Sequence, residues 1–122
     1  MGTFYWPIGL GDPRGERFEE IQALVDTGAT WTWVPRDILE GLGHQPTLKR
    51  QLRTADNRII ERDAALVLIR LGDETLPNIC IFGDVGSELL LGVTTMEAFS
   101  VAPDPVNQRL MPVAGLIMTT LQ

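Results

Sequence analysis

The segment ALVDTGA, residues 23–29, places an acidic side chain directly after a run of apolar residues. Such a run predicts a buried strand that ends at Val25, so that Asp26 begins the following loop. Because burial disfavours the ionised form of a carboxyl group, an acid at this position is a candidate for acid–base chemistry. Gly28 leaves room for a ligand main chain, and Thr27 offers a hydroxyl to a neighbouring loop. An isolated Asp-Thr-Gly more often only begins a turn, so its surroundings decide its meaning.

Strand-like segments separated by turn residues make up most of the chain. The clearest pair, residues 47–54 and 58–71, flanks Ala55-Asp56-Asn57, where Asp and Asn tolerate the left-handed backbone of a tight hairpin turn. Further strands are predicted for residues 4–8, 18–25, 31–34, 76–82, 88–92 and 108–121. The pattern indicates an all-β fold, a small closed β-barrel with a hairpin and one or two short helices.

Two segments carry helix signals. Residues 35–43 begin with Pro, end at Gly and place Ile38, Leu39 and Leu42 on a shared face. Residues 94–99 fit a capping box, with Thr94 as the N-cap and a Glu three residues later. We therefore expect one helix near the middle of the chain and a second near its carboxyl end.

Composition limits the class of protein. A length of 122 residues with 44% apolar residues predicts a single domain over residues 1–122. Ten basic and sixteen acidic side chains give a net charge of −6, which argues against a nucleic-acid partner. The apolar runs are too short for a membrane helix, and the first residues do not resemble a signal peptide. We therefore expect a cytoplasmic protein with no membrane partner.

Three other groups of residues receive structural interpretations. His44, the single histidine, has neither metal-ligand spacing nor a nucleophilic serine motif, so an exposed loop position is expected. Cys80 lies between two isoleucines and is predicted to be a small core residue. The arginines of the predicted hairpin are expected on a solvated surface, balanced by nearby acids; they are Arg50, Arg53, Arg58 and Arg62. No metal or cofactor is predicted.

The segment 26–29 resembles the active-site loop of retropepsin-like aspartic proteases, in which an apolar strand runs into Asp-Thr-Gly-Ala or Asp-Thr-Gly-Ser. Ala29 matches the retropepsin form, and Trp33-Val34-Pro35 is similar to the motif that follows the first Asp-Thr-Gly of pepsins. Leu90-Leu91-Gly92 resembles the element that packs beneath that loop. With the hairpin at the position of the flap, the resemblance covers residues 18–99 and indicates the cellular, bacterial type.

The resemblance implies a dimeric enzyme. Aspartic-protease chemistry uses two carboxyl groups about 3 Å apart that share one proton. Because the chain has a single Asp-Thr-Gly, a homodimer with Asp26 from each copy is implied. The family further implies that Thr27 hydrogen-bonds across the dimer axis. Gly28, Ala29 and Thr30 would bind the substrate main chain as an added strand. An aspartic endopeptidase without a cofactor is the predicted function.

The remaining site residues are predicted to form a pocket and a flap. They are Trp33, Leu90, Leu91 and Gly92, with Ala55, Asp56 and Asn57 at the flap tip. The chain departs from the retroviral pattern in its polar tip and in Thr30-Trp31, where retroviral enzymes carry two acidic residues. An arginine that braces the retroviral dimer is also missing after Gly92. We therefore expect residues 116–121 to pair with their mate across the dimer axis.

Two other interpretations remain open from the sequence. The departures from the retroviral pattern are the support for a catalytically silent relative that serves as a dimerisation or peptide-binding module, whereas the intact Asp26-Thr27-Gly28 argues against it. Alternatively, the Asp-Thr-Gly is incidental to an unrelated β-barrel binder, with Asp26 on an exposed turn. For the enzyme, Ala29 replaces the serine hydroxyl of pepsins, which predicts activity at mildly acidic to neutral pH.

Overall fold

Short strands connected by tight turns dominate the molecule. The computed structural model describes residues 4–115, and in this range the chain forms nine strands and two short helices. The strands are β1 (Tyr5–Gly11), β2 (Phe18–Val25), β3 (Thr32–Pro35), β4 (Leu48–Arg53), β5 (Ile59–Leu71), β6 (Glu74–Gly83), β7 (Leu90–Leu91), β8 (Val101–Asp104) and β9 (Arg109–Pro112). The helices are α1 (Arg36–Gly41) and α2 (Val93–Ala98).

Seven strands form one sheet in the order β1-β2-β7-β3-β6-β5-β4, while β8 and β9 make a separate antiparallel pair. The sheet curves round so that β1 also pairs with β5, through Gly9 with Arg70 and Leu10 with Ile69. The expected all-β fold with short helices is therefore confirmed, and since only these two residue pairs close the ring, it is a ring of strands and not a strict barrel. Strand β4 lies outside the ring and pairs with β5 to make the predicted hairpin.

The shortest strand, β7, lies between β2 and β3 and pairs with both. Strand β7 runs parallel to the end of β2, with Leu24 opposite Leu90 and Val25 opposite Leu91. It also pairs antiparallel with β3, where Trp33 is opposite Leu90. The loop that follows β2 therefore lies beside the residues that follow β7.

Apolar side chains from almost every element fill the interior of the ring. The largest fully buried apolar side chains are Phe82, Ile8, Leu10, Leu39, Ile69, Ile81, Leu91, Val25, Val34 and Val67. Cys80 belongs to the same core with 0% exposure, as predicted. Burial raises the pKa of its thiol to about 12, so this residue stays protonated and acts as a small apolar side chain.

The capping prediction for the second helix is wrong. Helix α2 begins at Val93, two residues earlier than an N-cap at Thr94 implies, with Gly92 as its N-cap and no capping side chain. Thr94 lies inside the first turn, where its main-chain N–H donates to the carbonyl of Thr30 at 2.9 Å. The N–H of Val93 donates to the carbonyl of Ala29 at 2.8 Å. A neighbouring loop therefore satisfies the free donors of this helix end, and no capping side chain is needed.

His44 is buried, contrary to the expectation of an exposed loop position. Only 5% of the residue is accessible, and its Nε2 donates to the carbonyl oxygen of Gly11 at 2.7 Å. Gly43 ends helix α1 with a φ of +100°, which turns the chain back towards the body of the protein. The histidine therefore joins the end of α1 to β1.

The carboxyl-terminal part agrees with the sequence only in part. Strand β9 lies within the predicted segment 108–121, but β8 was not predicted. The segment 116–121, which we expected at a dimer interface, lies outside the described residues. Among residues 4–115, no helix combines the length and the apolar character that crossing a membrane requires.

Candidate active site

Asp26 is held in place by its own loop and by β7. Its main-chain N–H donates to the carbonyl of Leu91 at 3.0 Å, and its carbonyl accepts from the N–H of Ala29 at 3.2 Å. The carboxylate oxygen Oδ1 accepts from the N–H of Gly28 at 2.8 Å. A Cβ at position 28 would lie 3.2 Å from Oδ1, which is a tight contact. Because Gly28 has no side chain, its main chain can come close to this oxygen without crowding it. The loop thus fixes the direction of the carboxyl group.

A buried pair of threonines supports the loop from behind. The Oγ1 atoms of Thr32 and Thr95 lie 2.6 Å apart, and the N–H of Gly92 donates to Thr32 Oγ1 at 3.0 Å. Both threonines have 0% exposure. Sequence reasoning missed this pair, because its members are 63 positions apart. One signal in the sequence concerns Thr32. It lies between Trp31 and Trp33 in a strand, so its side chain points to the opposite face from theirs.

The loop lies at the bottom of a cleft of about 380 Å³, which the β4–β5 hairpin borders from the other side. Among the described residues, the lining consists of Asp26, Gly28, Ala29, Thr30, Trp31, Trp33, Leu52, Arg53, Thr54, Ile60 and Leu90. Asp26 is the single acidic residue in this lining. The apolar residues lie on both the floor and the hairpin side.

Most of the residues predicted for the site come together, but some do not. Leu91 and Gly92 are buried behind the cleft. Thr27 is exposed and lies outside the cleft lining, as does the hairpin tip Ala55-Asp56-Asn57. The sequence had not indicated Leu52, Thr54 or Ile60, which the hairpin contributes to the lining.

Comparison with known proteins agrees with this geometry. The family model of gag-polyprotein aspartyl proteases matches residues 17–98, well over half of the chain. The chain belongs to this aspartyl protease family. The match includes the Asp26 loop, the hairpin and β7, which are the parts that enclose the cleft. Among curated protein sequences, none matches this chain.

The fold of this retropepsin-like protein is shared with a viral enzyme. The solution structure of simian foamy virus (mac) protease superimposes with a TM-score of 0.52 and 17% sequence identity. The similarity covers 77% of this chain and 94% of the viral chain. At this identity the comparison shows a common fold, and the chemistry has to be argued from the site itself.

Polar contacts organise the hairpin tip of this aspartyl protease family member. Asn57 has a φ of +69°, which confirms the left-handed turn residue predicted there. Asp56 accepts hydrogen bonds from the hydroxyl of Thr54 and, at 2.9 Å, from Nε of Arg58. The Thr54 hydroxyl, followed by the Arg58 guanidinium, lowers the pKa of Asp56. Side-chain contacts therefore define the tip, whereas glycine-rich tips depend on backbone freedom.

An ion-pair network joins the base of the hairpin to helix α1. Asp63 on β5 accepts from Nζ of Lys49 at 2.9 Å and from Nη2 of Arg36 at 3.0 Å. These two cations, Lys49 first, lower the pKa of the Asp63 carboxyl group. Since Lys49 belongs to β4 and Arg36 to α1, the network connects both strands of the hairpin to helix α1.

Asp63→Asn is expected to remove a pH-dependent part of the stability. The lowered pKa means that the stabilisation is complete above the usual pKa of an aspartate and is lost as pH falls through the lowered value. The unfolding temperatures of the two proteins should therefore differ at about pH 7 and converge towards about pH 3. Thermal unfolding followed by circular dichroism measures this difference. A gap of equal size at both pH values would contradict the role of the network.

Among residues 4–115, no three His, Cys, Asp or Glu side chains lie close enough together to bind a metal ion. The polar groups that the Asp26 loop brings to the cleft are the Asp26 carboxyl group, the Thr30 hydroxyl and main-chain groups. Such a set can hold a proton, polarise a water molecule and bind a peptide main chain.

Proposed function

We propose that this chain is an aspartic endopeptidase whose catalytic pair consists of Asp26 from each of two copies. The observation that carries the proposal is the single acidic residue, Asp26, in the lining of a cleft that is otherwise apolar or neutral except for Arg53. The chemistry requires two carboxyl groups about 3 Å apart that share one proton. A chain with one Asp-Thr-Gly can provide this pair by twofold association.

The Asp26 pair acts on a water molecule. The ionised carboxylate removes a proton from water as the water oxygen attacks the carbonyl carbon of the scissile peptide bond. The protonated carboxyl group donates its proton to the carbonyl oxygen. As the carbon–nitrogen bond breaks, the carboxyl group that took the proton from water gives it to the leaving nitrogen, which departs as an amine. A hydroxyl group of the tetrahedral intermediate returns a proton to the other carboxylate, so the pair again shares one proton. The hydrogen bond from the Gly28 N–H to Oδ1 keeps each carboxyl group in position throughout.

The walls of the cleft suit an extended peptide. Gly28, Ala29 and Thr30 border its floor. The carbonyl of Gly28 and the N–H of Thr30 have no main-chain partner among the described residues, so they are available to a peptide that binds as an added strand. Trp33 and Leu90 form apolar walls for side chains beside the scissile bond. In this proposal the β4–β5 hairpin acts as the flap, which closes over the peptide and excludes water.

Three residues of the site act from outside the cleft. Leu91 accepts from the main chain of Asp26, and Gly92 follows it at the start of α2, so both hold the loop from behind. Thr27, which is exposed, is available to bond across the dimer axis. The terminal segment 116–121 is proposed to complete the dimer interface.

Dilution tests this proposal. An unfolded protein substrate should be cleaved at mildly acidic to neutral pH, and a peptide inhibitor with a transition-state-like hydroxyl group should block the cleavage. Specific activity should fall as the enzyme is diluted below its dimer dissociation constant, in step with the mass measured by sedimentation. Constant specific activity from a monomer would contradict the shared pair. A stable dimer that binds peptide without cleaving it would instead indicate a silent binding module.

A further inference from the structure

Two arginines of the hairpin face the same side as the residues that line the cleft. Arg50 on β4 is directly opposite Arg62 on β5, and the next inward-facing pair towards the tip is Leu52 with Ile60. Leu52 and Ile60 border the cleft. Because side chains alternate along a strand, residues two positions apart share a face. The two arginines therefore extend the cleft-facing side of the hairpin towards its base.

Both guanidinium groups lie over tryptophans of the cleft wall. The guanidinium carbon of Arg50 is 5.9 Å from the ring centre of Trp31, and that of Arg62 is 5.9 Å from the ring centre of Trp33. Distances of this size allow a cation–π attraction. Both arginines are half-buried. These two residues therefore lie only partly on a solvated surface, because the tryptophans of β3 and its preceding loop pack against them.

The charges of this pair are only partly balanced. Like charges directly opposite each other on a sheet repel, and an anion between or beside them relieves the repulsion. Asp84 lies 3.3 Å from Arg62 and is itself mostly exposed. Arg50 donates to the main-chain carbonyl of Lys49 at 3.0 Å, and within residues 4–115 no carboxylate forms a salt bridge with it. The Arg50 guanidinium group therefore has no carboxylate partner among the described residues.

We infer that Arg50, with Arg62, forms a subsite for an acidic side chain of the peptide substrate. The inference rests on the proposed function in so far as it assumes a peptide in this cleft. A peptide that runs along β4 and places an apolar side chain against Leu52 and Ile60 places the side chain two residues further on beside Arg50. A guanidinium group whose face lies on an aromatic ring keeps N–H donors at its edge for a carboxylate.

Binding to an inactive variant tests this subsite without any need for cleavage. Asp26→Asn protein is titrated with two fluorescent peptides that share a Leu-Phe centre and carry either Glu or Gln two residues from it on both sides. We expect the Glu peptide to bind about threefold to tenfold more tightly at low salt, with the difference shrinking in about 0.5 M sodium chloride. Adding Arg50→Gln should remove the difference. The matched control Arg14→Gln, an exposed charge in the turn between β1 and β2, should preserve it.

The outcomes separate this inference from the proposed function. Equal affinity for the two peptides, no binding of either, or a preference that survives Arg50→Gln would each overturn the acidic subsite. Cleavage of both peptides at equal rates by the Asp26 protein would support the endopeptidase and overturn the subsite. A preference in binding that depends on Arg50, together with no cleavage by the Asp26 protein, would support the subsite while the proposed function fails.

Discussion

Asp26→Asn is expected to lower the rate of peptide cleavage by a factor of at least about 10³. An amide group neither removes a proton from water nor supplies the shared proton, and the substitution changes both members of the pair at once. The oxygen of Asn can still accept the hydrogen bond that Asp26 Oδ1 receives from Gly28. The loop, the fold and the dimer should therefore survive, so that the loss belongs to the chemistry.

Asp73→Asn is the matched control for this substitution. Asp73 is an exposed acid in the turn between β5 and β6, and it lies outside the cleft lining. The control should cleave at the unchanged rate, and both variants should have the mass and unfolding temperature of the starting protein. Cleavage by Asp26→Asn at a rate close to that of the control would rule out the proposed mechanism.

Gly92→Ala is expected to destabilise the protein by about 3 kcal/mol and to remove activity with it. A Cβ at this position would lie 2.4 Å from both the carbonyl carbon and the carbonyl oxygen of Trp31, and 2.9 Å from the N–H nitrogen of Thr32. These are main-chain atoms, which cannot rotate away as a side chain would. Since the N–H of Gly92 is also bound to Thr32 Oγ1, relief requires the loop behind Asp26 to move.

Gly41→Ala provides the contrast. A Cβ there meets no atom within 4 Å, and the residue is the last of helix α1. We expect it to leave activity unchanged and to stabilise the protein by up to about 1 kcal/mol, because alanine favours the helix. Urea unfolding of the two variants measures both free energies. Equal stability of Gly92→Ala and Gly41→Ala would show that the contact with Trp31 does not constrain the site.

Local sequence patterns were sufficient to predict the elements that enclose the cleft. The apolar run before Asp26, the hairpin around Asn57 and the pair Leu90-Leu91 each depend on neighbours within a few residues. The family resemblance then indicated how these elements come together. Even the left-handed turn at Asn57 followed from the residue type alone.

The errors share a physical cause, which is a partner far away in the sequence. His44 is buried and donates a hydrogen bond to the carbonyl of Gly11, which lies 33 positions earlier in the chain, and nothing beside His44 indicates this partner. Thr94 does not cap α2, because the main-chain N–H groups at this helix end already have carbonyl partners in a distant loop, such as Thr30 for the N–H of Thr94. The contact of Arg50 with Trp31 likewise depends on how the hairpin folds over β3. Such contacts appear only when the topology is known.

Mixing the Asp26 protein with its Asp26→Asn variant tests the shared catalytic pair most directly. At constant total concentration, high enough for dimers and after full exchange of subunits, an equal mixture contains about one quarter of dimers with two Asp26 side chains. The account predicts that activity falls to about one quarter and follows the square of the Asp26 fraction. Activity that falls only to about one half, in proportion to that fraction, would mean that each chain works alone and would contradict the account.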